Sequence, residues 1–153
     1  MPALFANQRE TNLASTVALI EQALAELGHA PAASRIADPA VAHAWRIVTG
    51  SAVTRVTVVH HTVFPHLRVS AVVMTLDAGV DRAALFAHLL GLNADLCGAA
   101  FAAHGDQVLL VSERSTLDLD QSEVLDIIER VTRYADEHDD VLVARFGGRV
   151  GAT

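Results

Sequence analysis

The 153-residue chain is 52% hydrophobic, 5% aromatic and 19% charged, with 18 Asp and Glu against 11 cationic residues, all of them Arg, for a formal charge of −7. At this length a chain buries roughly two-thirds of the surface its unfolded form exposes, so one domain over 1–153 can hold a core without metals or disulfides. The acidic balance excludes nucleic acid and an anionic membrane as default partners, since both need a basic footprint.

The N-terminal run MPALFANQRE lacks the basic and then apolar regions of an export signal. Asn12 precedes Leu13, Val17, Ile20, Leu24 and Leu27 at helical spacing, and Gly28 follows as a stop, which predicts a first helix over about 13–27. Pro31 and Pro39 enclose an Ala-rich connection with no periodicity, read as a loop. Trp45, Ile47, Val53, Val56, Val58 and Val59 then come in β-branched and aromatic runs, predicting strands at 43–49 and 52–62 around a Gly50-Ser51 turn. After Pro65, the alternation of Leu67, Val69, Ala71 and Val73 adds a third strand, and the three form an antiparallel meander.

Asp81 is placed to cap a second helix over 82–93, in which Leu85, Phe86, Leu89, Leu90 and Leu92 run nearly all the way round, with Ala83, Ala84 and Ala87 between them. Such a helix needs burial on every side. Either one subunit wraps it, or one side covers the sheet and the other meets a second copy. The second arrangement is the expectation: an isologous homodimer with Leu85, Phe86, Leu89, Leu90 and Leu92 as candidate interface. Segments 97–103 and 107–113 flank Gly105-Asp106 as a hairpin. Asp120 and Glu123 form a capping arrangement before a third helix carrying Val124, Ile127, Ile128, Val131, Tyr134 and Ala135, which is expected to end in the acidic run Asp136, Glu137, Asp139 and Asp140. The fold class is α+β: helix, three-stranded meander, helix, hairpin, helix, with one antiparallel sheet packed by helices. Residues 83–94, the most apolar helical stretch, are bracketed by Asp81, Arg82 and Asp95 and are too short to span a membrane.

No constellation of reactive side chains stands out. His60 and His61 point to opposite faces of a continuing strand, and a turn at Phe64-Pro65 could bring His66 opposite only one of them, so no metal site is expected. Cys97 starts the strand whose far end carries His104 and Asp106, too distant for a nucleophile and its base, and is read as a buried small hydrophobe. Its lone thiol has no disulfide partner, consistent with a cytoplasmic protein. Gly147-Gly148 has neither a following helix nor a Lys, so no phosphate loop is present. Asp118 and Asp120 read as turn and cap residues. The valines of the second and third strands supply apolar groups to both sheet faces, and Val56, Val58 and Val72 are the candidate partner-binding face.

Leu89, Leu90 and Asn93 near the end of the second helix, Gly105-Asp106, Leu109-Leu110 and the amphipathic last helix carry a resemblance over 89–137. That stretch, with the order of elements, resembles the Tir chaperone (CesT-like) family of type III secretion chaperones. The YbjN-like proteins, which share the fold, are similar over the same span. The missing leading Leu-Gly pair and the Ala/Pro-rich insertion at 30–42 leave both families open. The resemblance implies no active site and no cofactor. It implies a non-enzymatic homodimer that binds a partner protein or peptide, with a YbjN-like sensory or regulatory domain in bacterial signal transduction as the alternative. Neither nucleic acid nor membrane is an expected partner.

Overall fold

Two turns that open on glycine organise the sheet. Gly50 (φ 61) and Gly105 (φ 59) each take the left-handed conformation at the first turn position, and the following residues, Ser51 and Asp106, do not, which is the pattern of the hairpin turn that matches strand twist. The computed structural model describes residues 2–151; the expected single domain's ends, Met1, Ala152 and Thr153, lie outside the described residues. Its elements are α1 (Pro2–Glu26), α2 (Pro31–Ser34), β1 (Arg35–Ile36), β2 (His43–Thr49), β3 (Ala52–Val59), β4 (His66–Thr75), α3 (Arg82–Asp95), β5 (Ala100–His104), β6 (Gln107–Ser115), α4 (Gln121–Phe146) and β7 (Arg149–Val150). The strands pair antiparallel in the order β1-β2-β3-β4-β6-β5, with β7 also on β4. The expected α+β order and the central meander are therefore present, with two short strands in addition.

One face of this sheet belongs to the core. Trp45 and Ile47 of β2, Ala52, Val56 and Val58 of β3, Leu67, Val69 and Ala71 of β4, and Val108 and Leu110 of β6 are buried there. The apolar stripe of α4 is buried with them in one cluster: Val124, Ile127, Ile128, Val131, Ala135 and Leu142. α4 runs along β3, β4 and β6, and α1 packs beside it through Ile20, Ala23 and Leu24. Asp120 starts α4 with a reciprocal cap: its carboxylate accepts from the Glu123 N–H at 3.0 Å, and Glu123 accepts from the Asp120 N–H at 3.0 Å. That satisfies donors which the first helical turn would leave without partners.

The structure corrects several boundaries. α1 begins before Leu13, and Asn12 lies within it rather than capping it. The Asn12 side chain is engaged elsewhere: its Nδ2 donates to the Thr116 carbonyl at 3.0 Å and its Oδ1 lies 2.6 Å from the Thr116 hydroxyl, pinning the helix to the segment after β6. The 30–42 connection holds α2 and β1. The strand expected over 52–62 stops at Val59. α4 does not end at its acidic run but continues to Phe146, because the stripe resumes at Leu142 and Phe146. Within that run Asp139 is 6% exposed, and the Ser51 hydroxyl lies 3.1 Å from Asp136 Oδ1 and 3.3 Å from Asp139 Oδ2, so these carboxylates dock the β2–β3 turn onto the helix. Cys97 is exposed, not buried, because it precedes β5 in the bend that contains Gly98 (φ 70).

α4 ends at Phe146 with Gly147 as its cap, and Gly148 (φ 85) returns the chain to pair with β4. A Cβ on Gly148 would sit 2.7 Å from the Thr75 carbonyl oxygen, and backbone cannot move aside as a flexible side chain can. Gly148→Ala is therefore predicted to detach β7 at a cost of roughly 1–3 kcal/mol, read as a lower denaturant midpoint in equilibrium unfolding. An unchanged midpoint would show that β7 contributes nothing to stability.

Candidate binding surface

Strand alternation sends half of each strand to the face opposite α4. There β2 presents Ala44, Arg46 and Val48, β3 presents Val53, Arg55, Thr57 and Val59, β4 presents His66, Arg68, Ser70 and Val72, and β6 presents Leu109, Val111 and Glu113. Val48 is 50% exposed, Val53, Val72, Leu109 and Val111 are half-buried, and Ala44 and Thr57, at the end reached by the connection after β1, are buried. The face is thus aliphatic at the end nearer the β2–β3 turn, where Val48 lies opposite Val53, and across the centre, where Val72 lies opposite Leu109.

Charge is concentrated at the other positions. Arg68 lies opposite Glu113, and its Nε donates to Glu113 Oε2 at 2.6 Å, while His66 Nδ1 lies 3.0 Å from Oε1. The His66 ring stacks on His61 with centroids 4.3 Å apart. Arg55 pairs with Asp38, which the connection after β1 carries to this face. Arg46 lies directly opposite Arg55, and among the described residues it has no ion-pair partner. Burial acts to raise the Glu113 carboxyl, but Arg68 and then His66 hold it below a glutamate's ordinary value. The Ala40 backbone N–H first, and then Arg55 against the effect of burial, likewise hold Asp38 low.

Both long edges of the sheet are guarded in part. On the β2 side, β1 pairs with Ala44 and Trp45, and α2 packs beside β2 beyond it. On the β5 side, Asn93 of α3 takes both free backbone groups of Phe101: its Nδ2 donates to the Phe101 carbonyl at 3.1 Å, and its Oδ1 accepts the Phe101 N–H at 2.7 Å. The side-chain amide thereby stands in for a pairing strand. Two grooves open on the helix side. One of about 600 Å³ runs between α1 and 116–119 and is lined by Asn12, Ser15, Thr16, Phe64 and Thr116. Another of about 520 Å³ has Leu27, Ile47 and Ile128 in its wall and Glu129, Arg133 and Asp136 among its polar lining residues.

The residues singled out from sequence separate into groups. Val56 and Val58 lie on the helix-covered face and are fully buried, so they are unavailable to a partner; Val72 is on the open face. The correction is one of strand phase: β3 carries valines in both phases, and α4 covers Val56 and Val58 rather than Val53 and Val59. In α3, Leu85 and Leu89 point into the chain's own core, Phe86 and Leu92 pack against it half-buried, and Leu90 is 71% exposed. The outward side of that helix consists of Ala83, Ala84, Ala87, Leu90, Gly91 and Ala94, all exposed. His61 and His66 meet, but among the described residues no three of His, Cys, Asp and Glu come together as a metal-binding group. His104 and Asp106 sit at the β5–β6 turn, where Asp106 pairs with Arg82, while Cys97 lies before β5. Among the described residues no helix is long and apolar enough to cross a membrane.

The opposed arginines went unnoticed in the sequence, although a signal was there: residues equidistant from the Gly50-Ser51 turn face each other, and Arg46 and Arg55 are such a pair.

A single antiparallel sheet packed by helices is the fold class of the secretion chaperones. Over residues 14–153 the sequence matches the family described as T3SS (YopN, CesT) and YbjN peptide-binding chaperone 1, TY-Chap1, and the chain belongs to that family. No curated protein matches the sequence. Among solved structures, the ExsC–ExsE complex contains a chain similar in fold, with TM-score 0.61 and 13% identity over 84% of this chain and 94% of that one. The HopA1–SchA chaperone–effector complex gives TM-score 0.58 and 12% identity over 86% and 97%. The Yersinia pestis type III secretion chaperone SycH with a fragment of YscM2 gives 0.53 and 15% over 78% and 96%.

Two predictions follow from this geometry. A carboxyl held low in the fold contributes stability above its unfolded pKa and loses it as pH falls through the lowered value. Stability is therefore expected to decline below about pH 4, and Glu113→Gln to flatten part of that decline in urea unfolding followed against pH. An unchanged slope would rule out Glu113 as a contributor. Asn93→Ala leaves the Phe101 groups without partners, with an expected cost of about 1–3 kcal/mol. It also frees the β5 edge, so light scattering should show association rising with concentration.

Proposed function

We propose that this chain is a non-enzymatic, cytoplasmic peptide-binding chaperone, folded as one domain, that works as a homodimer and holds an extended segment of a partner protein across its open sheet face. The observation that carries this reading is the uncovered face itself. Aliphatic residues from four strands lie there with no helix over them, in a chain whose helices are all occupied on the other side or at the β5 edge. Guarded edges favour recognition by side-chain contact across the face over addition of a strand. Membership of a peptide-binding chaperone family supports the same reading. The family description joins secretion chaperones with YbjN proteins, so a regulatory role would use the same surface with a segment that is not exported.

For the homodimer, support comes from the outward side of α3. Leu90 projects from a surface of Ala and Gly that lets a second helix approach closely, beside the exposed Ala100, Ala102 and Ala103 of β5. Leu85 and Leu89 then serve the subunit core and Leu90 the contact. Leu90→Glu is predicted to convert a dimer into a folded monomer, with unchanged circular dichroism and half the mass by light scattering. A wild-type monomer at every concentration would reject the dimer.

The binding reading is tested with peptides selected by display against the purified chain. Val72→Asp, at a half-buried open-face position, should weaken the selected peptides by about tenfold or more. Selected peptides whose affinity ignores Val72→Asp and Val53→Asp alike would place binding elsewhere and reject the open face.

A further inference from the structure

The pair Arg46 and Arg55 is the least self-consistent feature of the open face. Directly opposed residues on neighbouring strands have Cβ atoms about 4.5–5.5 Å apart, and like charges so placed oppose each other. A chain with 18 acidic side chains has many ways to neutralise two arginines, yet among the described residues only Asp38 reaches this pair. Arg46 is exposed and lacks an ion-pair partner among the described residues, while the Arg55 Nε is buried with no hydrogen-bond partner. The remaining arginine of this face, Arg68, is neutralised by Glu113. The open face thus keeps an uncompensated positive charge at one place, on a protein that is acidic overall.

Its surroundings are aliphatic. One pair further along β2 and β3, towards the turn, stand Val48 and Val53; in the other direction Ala44 and Thr57 are buried, and the exposed Ile36 of β1 lies beyond them. We propose that Arg46 and Arg55 form a carboxylate-reading subsite, at which the partner segment places an Asp or Glu between aliphatic side chains. This deepens the peptide-binding reading above and rests on it. Asp38 shows how a carboxylate is received: it already engages the Arg55 guanidinium, whose Nε is buried, and leaves the exposed Arg46 beside it as the group that meets an incoming acid. Arginine suits this task because its planar fork can engage a carboxylate through two parallel N–H donors. A polyanion such as nucleic acid is disfavoured, because the chain's net charge of −7 repels it and the flanking surface offers aliphatic contacts rather than further cations.

The test uses short labelled peptides with the same alternating aliphatic residues and Glu, Gln or Lys at the intervening positions, titrated against the full chain by fluorescence anisotropy. The Glu peptide should bind about fivefold more tightly than the Gln peptide at low salt, with the difference shrinking as salt screens the contact. Arg46→Gln should remove that preference, read as the ratio of the Glu and Gln peptides' affinities for the same variant. Arg46→Glu should invert it in favour of the Lys peptide. Arg46 is exposed, so both variants are expected to fold, and circular dichroism confirms it. Equal affinity for the Glu and Gln peptides, or a Glu preference that survives Arg46→Glu, overturns the subsite and leaves peptide binding standing. Oligothymidylate binding as tightly as the Glu peptide also overturns it. No binding of any peptide, selected ones included, removes the peptide-binding reading and the subsite with it.

Discussion

The docking of α4 along β3, β4 and β6 is the contact on which the rest of the molecule depends. Its stripe from Val124 to Leu142 removes one face of the sheet from water, and burial of apolar surface at roughly 25 cal/mol per Å² makes that the dominant gain in a chain of this size. Once that helix is down, strand phase follows everywhere, because a one-residue slip would exchange every inward side chain for an outward one. Val56, Val58, Val69 and Leu110 become core; Val53, Arg55, Val72 and Leu109 become surface. The open face is therefore defined by what α4 does not cover. The same helix secures the hairpin that matters most for that face, since Asp136 and Asp139 hold Ser51 in the β2–β3 turn. A shift of this turn by one residue would separate Arg46 from Arg55 and move Val48 off Val53.

Much of this architecture could be read from residues whose effect is local. Gly50-Ser51 and Gly105-Asp106 marked both hairpins because a left-handed first turn residue is costly for anything but glycine. Asp81 and the Asp120–Glu123 pair marked two helix starts because free backbone donors need acceptors at those points. What the sequence left open depends on packing. The run Asp136, Glu137, Asp139, Asp140 reads as a helix end by charge, and only the return of Leu142 and Phe146 to the sheet keeps it helical. The valines of β3 occupy both phases, so alternation could not say which set α4 would bury. In α3 the leucines leave no clear polar side, and the inward choice of Leu85 and Leu89 over Leu90 depends on where the core already lies.

Assigning α3 its inward side changes the meaning of its apolar composition. A helix apolar all round suggests that the large leucines meet a partner, but the large residues Leu85 and Leu89 are consumed by the chain's own core. The outward side keeps Leu90 among alanines and a glycine. Such a surface contributes little apolar area per residue, yet it allows backbones to approach closely, so a contact made there relies on fit more than on bulk. Cys97, expected inside, is at the surface near this helix because the chain must bend at Gly98 to enter β5.

Edge protection and face exposure are two sides of one arrangement. An unpaired strand edge accepts any extended chain through its backbone groups, without regard to side chains. Here β1 and α2 stand beside β2, and Asn93 occupies Phe101, so the least selective route to the sheet is narrowed at both borders. The open face instead exposes rows of side chains, aliphatic across the centre and cationic at Arg46. Recognition through side chains discriminates among segments by size and charge, because each wrong residue leaves a buried group unpaired or a cavity unfilled. A sheet built this way exposes side chains for selection while narrowing the edges that would template aggregation.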